Sequence, residues 1–232
     1  MCAARRRGRP VTEKDRDERN QRFAFDRERA ATAGVSIVGG ADEAGRGALA
    51  GPLVAAAVAF DYRRWSEPDE EALAALDDSK RLDRARREEL YGEILHRALR
   101  VVCVARAPST IDDCGLHVCN LEALAEALQR LDARPSVLLV DGLTPAATAP
   151  SCEVVVGGDG RSAAIAAASV VAKVTRDRVM RHLHERYPQW GFAEHVGYAT
   201  ESHHAAIAAH GLCVLHRRSF RSVAYRQLEL GA

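Results

Sequence analysis

From Val35 onward, apolar positions follow two rhythms. Short apolar runs at Ser36–Ala41 and Leu53–Phe60 read as strands, separated by the glycine-rich stretch Gly45–Gly51. Leu82–Leu99 has helical character, with charges gathered at Arg84, Arg86, Arg87, Glu88 and Glu89, and Ala98–Ala105 reads as a further strand. Leu121, Leu124, Leu128 and Leu131 recur at helical spacing and predict a helix up to about Ala133, which Pro135 punctuates. Ser136–Val140 is a short apolar strand ending in Asp141-Gly142. A long helix is predicted from about Arg161 to Arg186, with Ile165, Ala168, Ala172, Val179 and Leu183 on one face and Pro188 fixing its end. Short helices and loops follow. Two strands, then strands alternating with helices, predict an α/β or α+β sheet covered by helices on both sides.

Residues 1–34 break this pattern. They are densely charged, and Phe23 and Phe25 are their only large apolar side chains, which predicts a mobile arm with a short helix around Asp15–Arg29. The expected organisation is therefore an arm at 1–34, one globular domain at 35–225 that includes the C-terminal helices, and a tail at 226–232. Composition adds limits: 47% of the 232 residues are hydrophobic, enough for a sizeable core, and the net charge of +1 excludes a uniformly basic coat. No apolar run approaches ~18 residues, so no membrane span is expected. The basic start, with Arg5, Arg6, Arg7 and Arg9, has no apolar stretch behind it and is not a secretory signal. Six cysteines without a C-x-x-C pair read as reduced, mostly buried thiols of a cytoplasmic protein.

Candidate chemistry concentrates at Gly39-Gly40-Ala41-Asp42-Glu43-Ala44-Gly45-Arg46-Gly47-Ala48-Leu49-Ala50-Gly51-Pro52. Two adjacent acids end an apolar strand ahead of a flexible loop. Neighbours on a strand point to opposite faces, so Asp42 and Glu43 can serve one site only if the strand stops or bulges there. Gly45–Ala50 also fits a loose G-x-G-x-x-A dinucleotide fingerprint, but that needs a helix next, whereas Pro52 precedes a strand. Carboxylates beside such a loop make sense if cations sit on the acids and the loop holds a phosphodiester. Asp141 ends a strand where open-sheet sites gather, and Asp159 precedes the long helix. Asp141-Gly142 also reads as a turn pair and Asp159 as a helix N-cap. Together, four acids at strand ends and helix starts read as a site for hard divalent cations. Two ions roughly 4 Å apart can activate water and stabilise the leaving oxygen of a phosphodiester.

These residues, in order, resemble the signature of type 2 ribonuclease H, the ribonuclease HII family. The match comprises Asp42-Glu43-Ala44-Gly45-Arg46-Gly47 with Leu49-Ala50-Gly51-Pro52, Asp78-Ser79-Lys80, Val140-Asp141-Gly142 and Gly158-Asp159. It continues through Ile165–Asp177, Gly197-Tyr198 with Thr200 and His203, and His216-Arg217-Arg218-Ser219-Phe220. The resemblance covers about Ile37 to Phe220. It implies a ribonuclease H-like α/β fold, a mixed five-stranded sheet flanked by helices, with a small C-terminal helical region. It further implies endonucleolytic cleavage of RNA in RNA–DNA hybrids, and a cut 5′ to single ribonucleotides in duplex DNA that leaves 3′-hydroxyl and 5′-phosphate ends. Asp42, Glu43, Asp141 and Asp159 would be the catalytic carboxylates, binding Mg²⁺ or Mn²⁺, two ions per site. Gly45, Arg46 and Gly47 would read the ribose 2′-hydroxyl through backbone groups, and Tyr198 would pack on the next deoxyribose. Ser79 and Lys80 would lie near phosphates. A monomer without a membrane partner is the expected form. Ala48 and Gly160-Arg161 depart from the family pattern without removing an acid, and the arm is too short for the extra domain of ribonuclease HIII.

Physical reading adds phosphate contacts from Lys80, Lys173, Arg176, Arg217, Arg218 and Arg221, with Ser169, Lys173 and Arg176 sharing a helix face opposite the apolar one. The histidines lack zinc spacing and read as surface or structural residues. Trp65 and Trp190 read as anchors, and Phe220 as a packing residue. Gln227-Leu228-Glu229-Leu230 looks like a truncated form of the peptide that bacterial sliding clamps bind, or like an ordinary amphipathic end.

Overall fold

A helix, α1 (Glu13–Thr32), leads into the sheet of the computed structural model, which describes residues 13–76, 79–80, 82–134, 136–223 and 225. Where a mobile arm was expected, Phe23, Asp26 and Ala30 are buried and Val35 donates its N–H to the Ala30 carbonyl at 2.9 Å. The charge density hid this because the packing stripe contains a buried acid and an alanine rather than a run of large apolar residues. Strands β1 (Ile37–Ala44) and β2 (Leu53–Asp61) pair antiparallel, with Ile37 opposite Asp61 and Ala44 opposite Val54. Then come α2 (Glu67–Ala72), α3 (Arg84–Arg97), β3 (Arg100–Arg106), α4 (Pro108–Cys114) and α5 (Leu116–Leu131). The chain continues through β4 (Ser136–Asp141), β5 (Glu153–Val155), α6 (Ala163–Arg186), α7 (Phe192–His195) and α8 (Glu201–His210).

The five strands lie in the order β3-β2-β1-β4-β5. The first three are antiparallel, and β4 and β5 run parallel to their inner neighbours. This is the mixed, helix-flanked sheet that the sequence led us to expect. Strand β5, three residues long, is too short to show a periodicity and was not predicted. One face packs Val38, Val58 and Phe60 against α6, α3 and α1; the other packs Ala41, Ala57 and Ala59 against Leu124, Leu128 and Leu131 of α5.

Helix α6 is buried on every side over Ala163–Ala172, because it lies across the middle of the sheet with other helices around it. Its small side chains let it come very close. A Cβ on Gly40 would stand 2.2 Å from the Ala164 carbonyl carbon, so only glycine fits at that point of β1. The predicted single apolar face needs correction: Val179 is 38% exposed, because the outer half of the helix packs through Met180 on a separate cluster. That cluster, with Leu49, Trp190, Phe192 and Ile207, is the core of the C-terminal helical region. Trp65 and Phe220 pack as expected, Trp65 against Phe23, Phe60 and Tyr62. The five described cysteines are unpaired, but Cys103 and Cys114 are exposed rather than buried. No helix among the described residues is long and apolar enough to cross a membrane. Arg5–Arg9, Asp78, Pro135 and the Gln227–Leu230 segment lie outside the described residues.

Candidate active site

Strand β4 pairs with β1 only as far as Ala41 opposite Val140, whereas β2 accompanies β1 to Ala44. Asp42 and Glu43 therefore sit on a strand with one bare edge, beside Asp141 at the end of β4. The ladder with β2 stays regular through both acids, so neither the stop nor the bulge expected from their adjacency occurs. Asp42 meets Ser169 of α6, and Glu43 lies near Asn120 of α5. They point to opposite faces, yet both feel the charge of Asp141 across the open edge.

Burial, then the charges of Glu43 and Asp141, push the Asp42 carboxyl up to about 7, against the opposing pull of Ser169 and the Glu43 N–H. That N–H donates to Asp42 Oδ1 at 2.7 Å. Glu43 is also raised, chiefly by burial, while Arg46 at 3.3 Å draws it back. Asp141 Oδ1 accepts the Gly158 N–H at 2.6 Å, tying β4 to the turn Gly158–Gly160 that carries Asp159. The Asp159 carbonyl accepts from Arg22 Nε at 3.2 Å. Among the described residues, no three Asp, Glu, His or Cys side chains stand close enough to hold a metal ion as they are. Each of the first three acids is instead held by a protein partner. The donor set nevertheless fits divalent cations: buried Asp42 and half-buried Glu43 and Asp141 repel one another, a strain that a hard positive charge relieves.

Behind Asp42, Ser79 Oγ and Ser169 Oγ lie 2.9 Å apart, both buried. These two predicted substrate contacts line the back of the carboxylate, and exposed Lys80 adjoins them. Arg87 clamps the same segment by donating to the Ser79 carbonyl at 2.8 Å and to the Leu82 carbonyl.

The loop after the acids is braced from below. Gly45 has φ +92°, and a Cβ there would sit 2.0 Å from Arg176 Nε, so side chains are excluded on both counts. Arg176 is fully buried and donates to the carbonyls of Pro52 (2.9 Å), Val196 (2.9 Å) and Ala50 (3.0 Å). Arg217, also fully buried, donates to Gly51 and Arg46 carbonyls, each at 3.0 Å. Both were expected to touch phosphate; burial in carbonyl-rich pockets makes them braces instead. Desolvation lowers both guanidiniums, Arg217 to about 10, which leaves it charged at neutral pH. Leu49 and Ala50 donate their N–H groups to the Gly197 carbonyl at 2.8 and 3.2 Å, joining the loop to Tyr198. Lys173 and Arg176 lie 5.1 and 5.3 Å from the centre of the Tyr198 ring, and Lys173 pairs with Asp177 at 2.8 Å. Arg46 and Gly47 are exposed on the outside of the loop.

Three histidines hold the Tyr198 segment. His203 Nδ1 lies 2.9 Å from the Tyr198 carbonyl and its Nε2 lies 3.2 Å from His216 Nε2, while His195 Nδ1 accepts the Gly197 N–H at 3.1 Å. Burial pushes His203 and His216 down to about 4, so they are neutral structural groups, as the sequence spacing suggested.

Asn120 is the site residue that the sequence reading missed. It is fully buried and its amide faces Glu43, drawing that carboxyl down against the effect of burial. The available signal was an amide among the buried positions of an otherwise amphipathic helix.

The ribonuclease HII family model matches residues 39–223. A ribonuclease HII of Xanthobacter autotrophicus is 49% identical over 207 residues, covering 89% of this chain and 80% of the relative. Among solved structures, ribonuclease H2 of Pyrococcus horikoshii superposes with a TM-score of 0.66 at 24% identity, over 84% of this chain and 98% of that one. The ribonuclease HII of Archaeoglobus fulgidus, solved in complex with PCNA, gives a TM-score of 0.66 at 26% identity, over 80% and 96% of the two chains.

Proposed function

The chain belongs to the ribonuclease HII family and is a ribonuclease H, an endonuclease acting on the RNA of RNA–DNA hybrids; from that premise we propose that it also cuts duplex DNA 5′ to a single embedded ribonucleotide. Ribonucleases H depend on divalent metal ions. Asp42, Glu43, Asp141 and Asp159 would hold two Mg²⁺ or Mn²⁺ ions, which when bound supply an activated water and positive charge for the departing oxygen. The observation that carries this reading is the placing of Asp42, Glu43 and Asp141 at the open end of β1 and β4, where β4 stops short of the acids, beside a loop braced by Arg176 and Arg217.

Each surrounding residue has a task in the proposal. Ser169, backed by Ser79, orients Asp42, and the Gly158 N–H orients Asp141. Arg46 neutralises Glu43 until substrate arrives, its own carbonyl held by Arg217. The backbone of Gly45, Arg46 and Gly47 reads the ribose 2′-hydroxyl, a group that both donates and accepts, at close range because the glycines carry no Cβ. Tyr198 packs against the adjoining deoxyribose with Lys173 behind its ring, and Lys80 meets phosphate. Cleavage leaves a 3′-hydroxyl and a 5′-phosphate. The five described cysteines, all unpaired, fit a reducing cytoplasm.

A labelled DNA duplex with one ribonucleotide, run beside all-DNA and all-hybrid duplexes with Mg²⁺ or Mn²⁺, tests the reading. A single chelator-sensitive cut on the 5′ side of the ribonucleotide is expected, with all-DNA left intact. Equal cleavage of all-DNA would mean that the Gly45–Gly47 loop does not read the sugar.

The Gln227–Leu230 segment is proposed to engage the sliding clamp, a reading supported by the PCNA complex of the Archaeoglobus protein. A chain ending at Arg226 is expected to lose clamp capture in a pull-down; unchanged capture disposes of the idea.

A further inference from the structure

We propose that helix α1 is a positioning element of the active site, setting the Asp159 turn through Arg22 and the start of α6 through Asp26; this rests on Asp159 serving as an acid of the site. The helix lies outside the residues 39–223 matched by the family model, and its sequence reads as a solvated charged segment. Yet Arg22, Phe25, Asp26 and Arg29, spaced i, i+3, i+4 and i+7, form one helix face, and all four meet the segment from Glu153 to Ala164.

Arg22 is buried and its Nε donates to the Asp159 carbonyl at 3.2 Å, across 137 residues of sequence. Asp26, fully buried, accepts the Ala164 N–H at 2.9 Å and the Tyr62 hydroxyl at 2.7 Å through Oδ2. Ala164 is the second residue of α6, where N–H groups lack intrahelical partners and a negative charge is favoured. Ser162 caps the same end by accepting the Ile165 N–H at 3.2 Å, so the helix start is held from its own chain and from α1. Two guanidiniums meet the Phe25 ring, Arg29 at 4.7 Å and Arg161 at 5.1 Å, and Arg29 Nε bonds Glu153 at 3.1 Å.

Glycines at 157, 158 and 160 surround Asp159, so the turn has little side-chain packing of its own to fix it. Besides the local bond from the Ser162 N–H to the Gly158 carbonyl at 2.8 Å, the turn is tied to Asp141 on one side, through the Gly158 N–H, and to α1 on the other. Carboxylates that share cations must be placed to within a fraction of an ångström or so, which an untethered glycine turn does not provide. Residues of this supporting kind change metal affinity or rate by roughly 10–100-fold when removed.

The experiment compares Arg22→Ala, Arg22→Lys, Asp159→Asn and Arg27→Ala in the full chain. Steady-state cleavage of a hybrid, calorimetric Mn²⁺ titration and thermal melting are measured for each. Arg27 sits on the same helix but pairs with Glu70 and Tyr62, so its variant reports on α1 without touching the turn. Arg22→Ala is expected to lower kcat and Mn²⁺ affinity each by roughly 10-fold with KM little changed, and Arg22→Lys to recover part of both. Arg27→Ala should match the parent. A lower melting temperature with parent-like Mn²⁺ affinity in Arg22→Ala makes α1 a stability element only and overturns the inference, as does a parent-like variant. If Asp159→Asn itself keeps Mn²⁺ affinity and turnover, the assignment of Asp159 fails instead.

Discussion

Asp42→Asn is expected to bind RNA–DNA hybrid as the parent does and to cleave it at least roughly 10³-fold more slowly. Asparagine keeps the size of the side chain and an oxygen for the Glu43 N–H and Ser169, so the strand end and the loop behind it should stay in place. The charge is what disappears, and Asp42 feels the charges of both Glu43 and Asp141. Single-turnover cleavage of a labelled hybrid, with binding measured separately in chelator, separates the two effects. Near-full activity would remove Asp42 from the chemistry.

The same substitution should stabilise the metal-free protein. Asp42 titrates at about 7 when folded against 3.8 for an ordinary aspartate, so the folded state holds a proton that the unfolded chain has already released. Its contribution to stability is favourable at low pH and is withdrawn as pH climbs from about 4 to about 7. The amide of the Asp42→Asn variant has no such proton to lose. In chelator, the melting temperature of the variant should exceed that of the parent at pH 8 by several degrees, with the gap closing toward pH 4. Cation binding needs the carboxylate ionised, so cleavage at limiting metal should rise with pH up to about 7.

Much of this arrangement was legible in the chain, in proportion to how locally each feature is encoded. The runs Leu53–Phe60 and Ser136–Val140 are strands because apolar residues fill both of their faces, a signal that needs no partner. Asp42, Glu43 and Asp141 stood out as candidates because acids toward the ends of apolar strands are out of place unless something charged meets them. Contacts between distant segments were not legible. Arg176 and Arg217 look like any basic residues near a nucleic-acid site; only the fold shows five carbonyls from two distant segments, the loop 46–52 and Val196, converging on them. Helix α1 was read as an arm for the same reason, since Asp26 is explained only by the α6 terminus it caps, 138 residues away. The adjacency of Asp42 and Glu43 seemed to require a broken strand, because alternation is local whereas the early end of the β1–β4 pairing depends on a distant segment.

Arg176→Met carries the largest expected structural cost. Methionine fills most of the volume of the buried arm but returns three carbonyls, of Ala50, Pro52 and Val196, to a dry pocket without a donor. Each unsatisfied carbonyl costs about 1–3 kcal/mol. The sum is reduced because the neighbouring Arg217 guanidinium, depressed chiefly by burial and further by the charge of Arg176, is relieved of that repulsion. A net loss of about 3–5 kcal/mol is expected, a fall in melting temperature of roughly 10 °C for a chain of this size. Function should suffer in a distinctive way. Ala50 and Pro52 belong to the loop that carries Gly45–Gly47, and Val196 adjoins the Gly197–Tyr198 pair, so one side chain holds both proposed sugar-reading elements together. At a temperature where the variant is folded, KM for a single-ribonucleotide duplex should rise more than kcat falls. Arg176→Lys, keeping the charge but not the fork of donors, should recover less than half of the lost stability. A variant that melts within about 2 °C of the parent would show that the N–H groups of Leu49 and Ala50 on the Gly197 carbonyl hold the loop unaided, and that the buried guanidinium is dispensable.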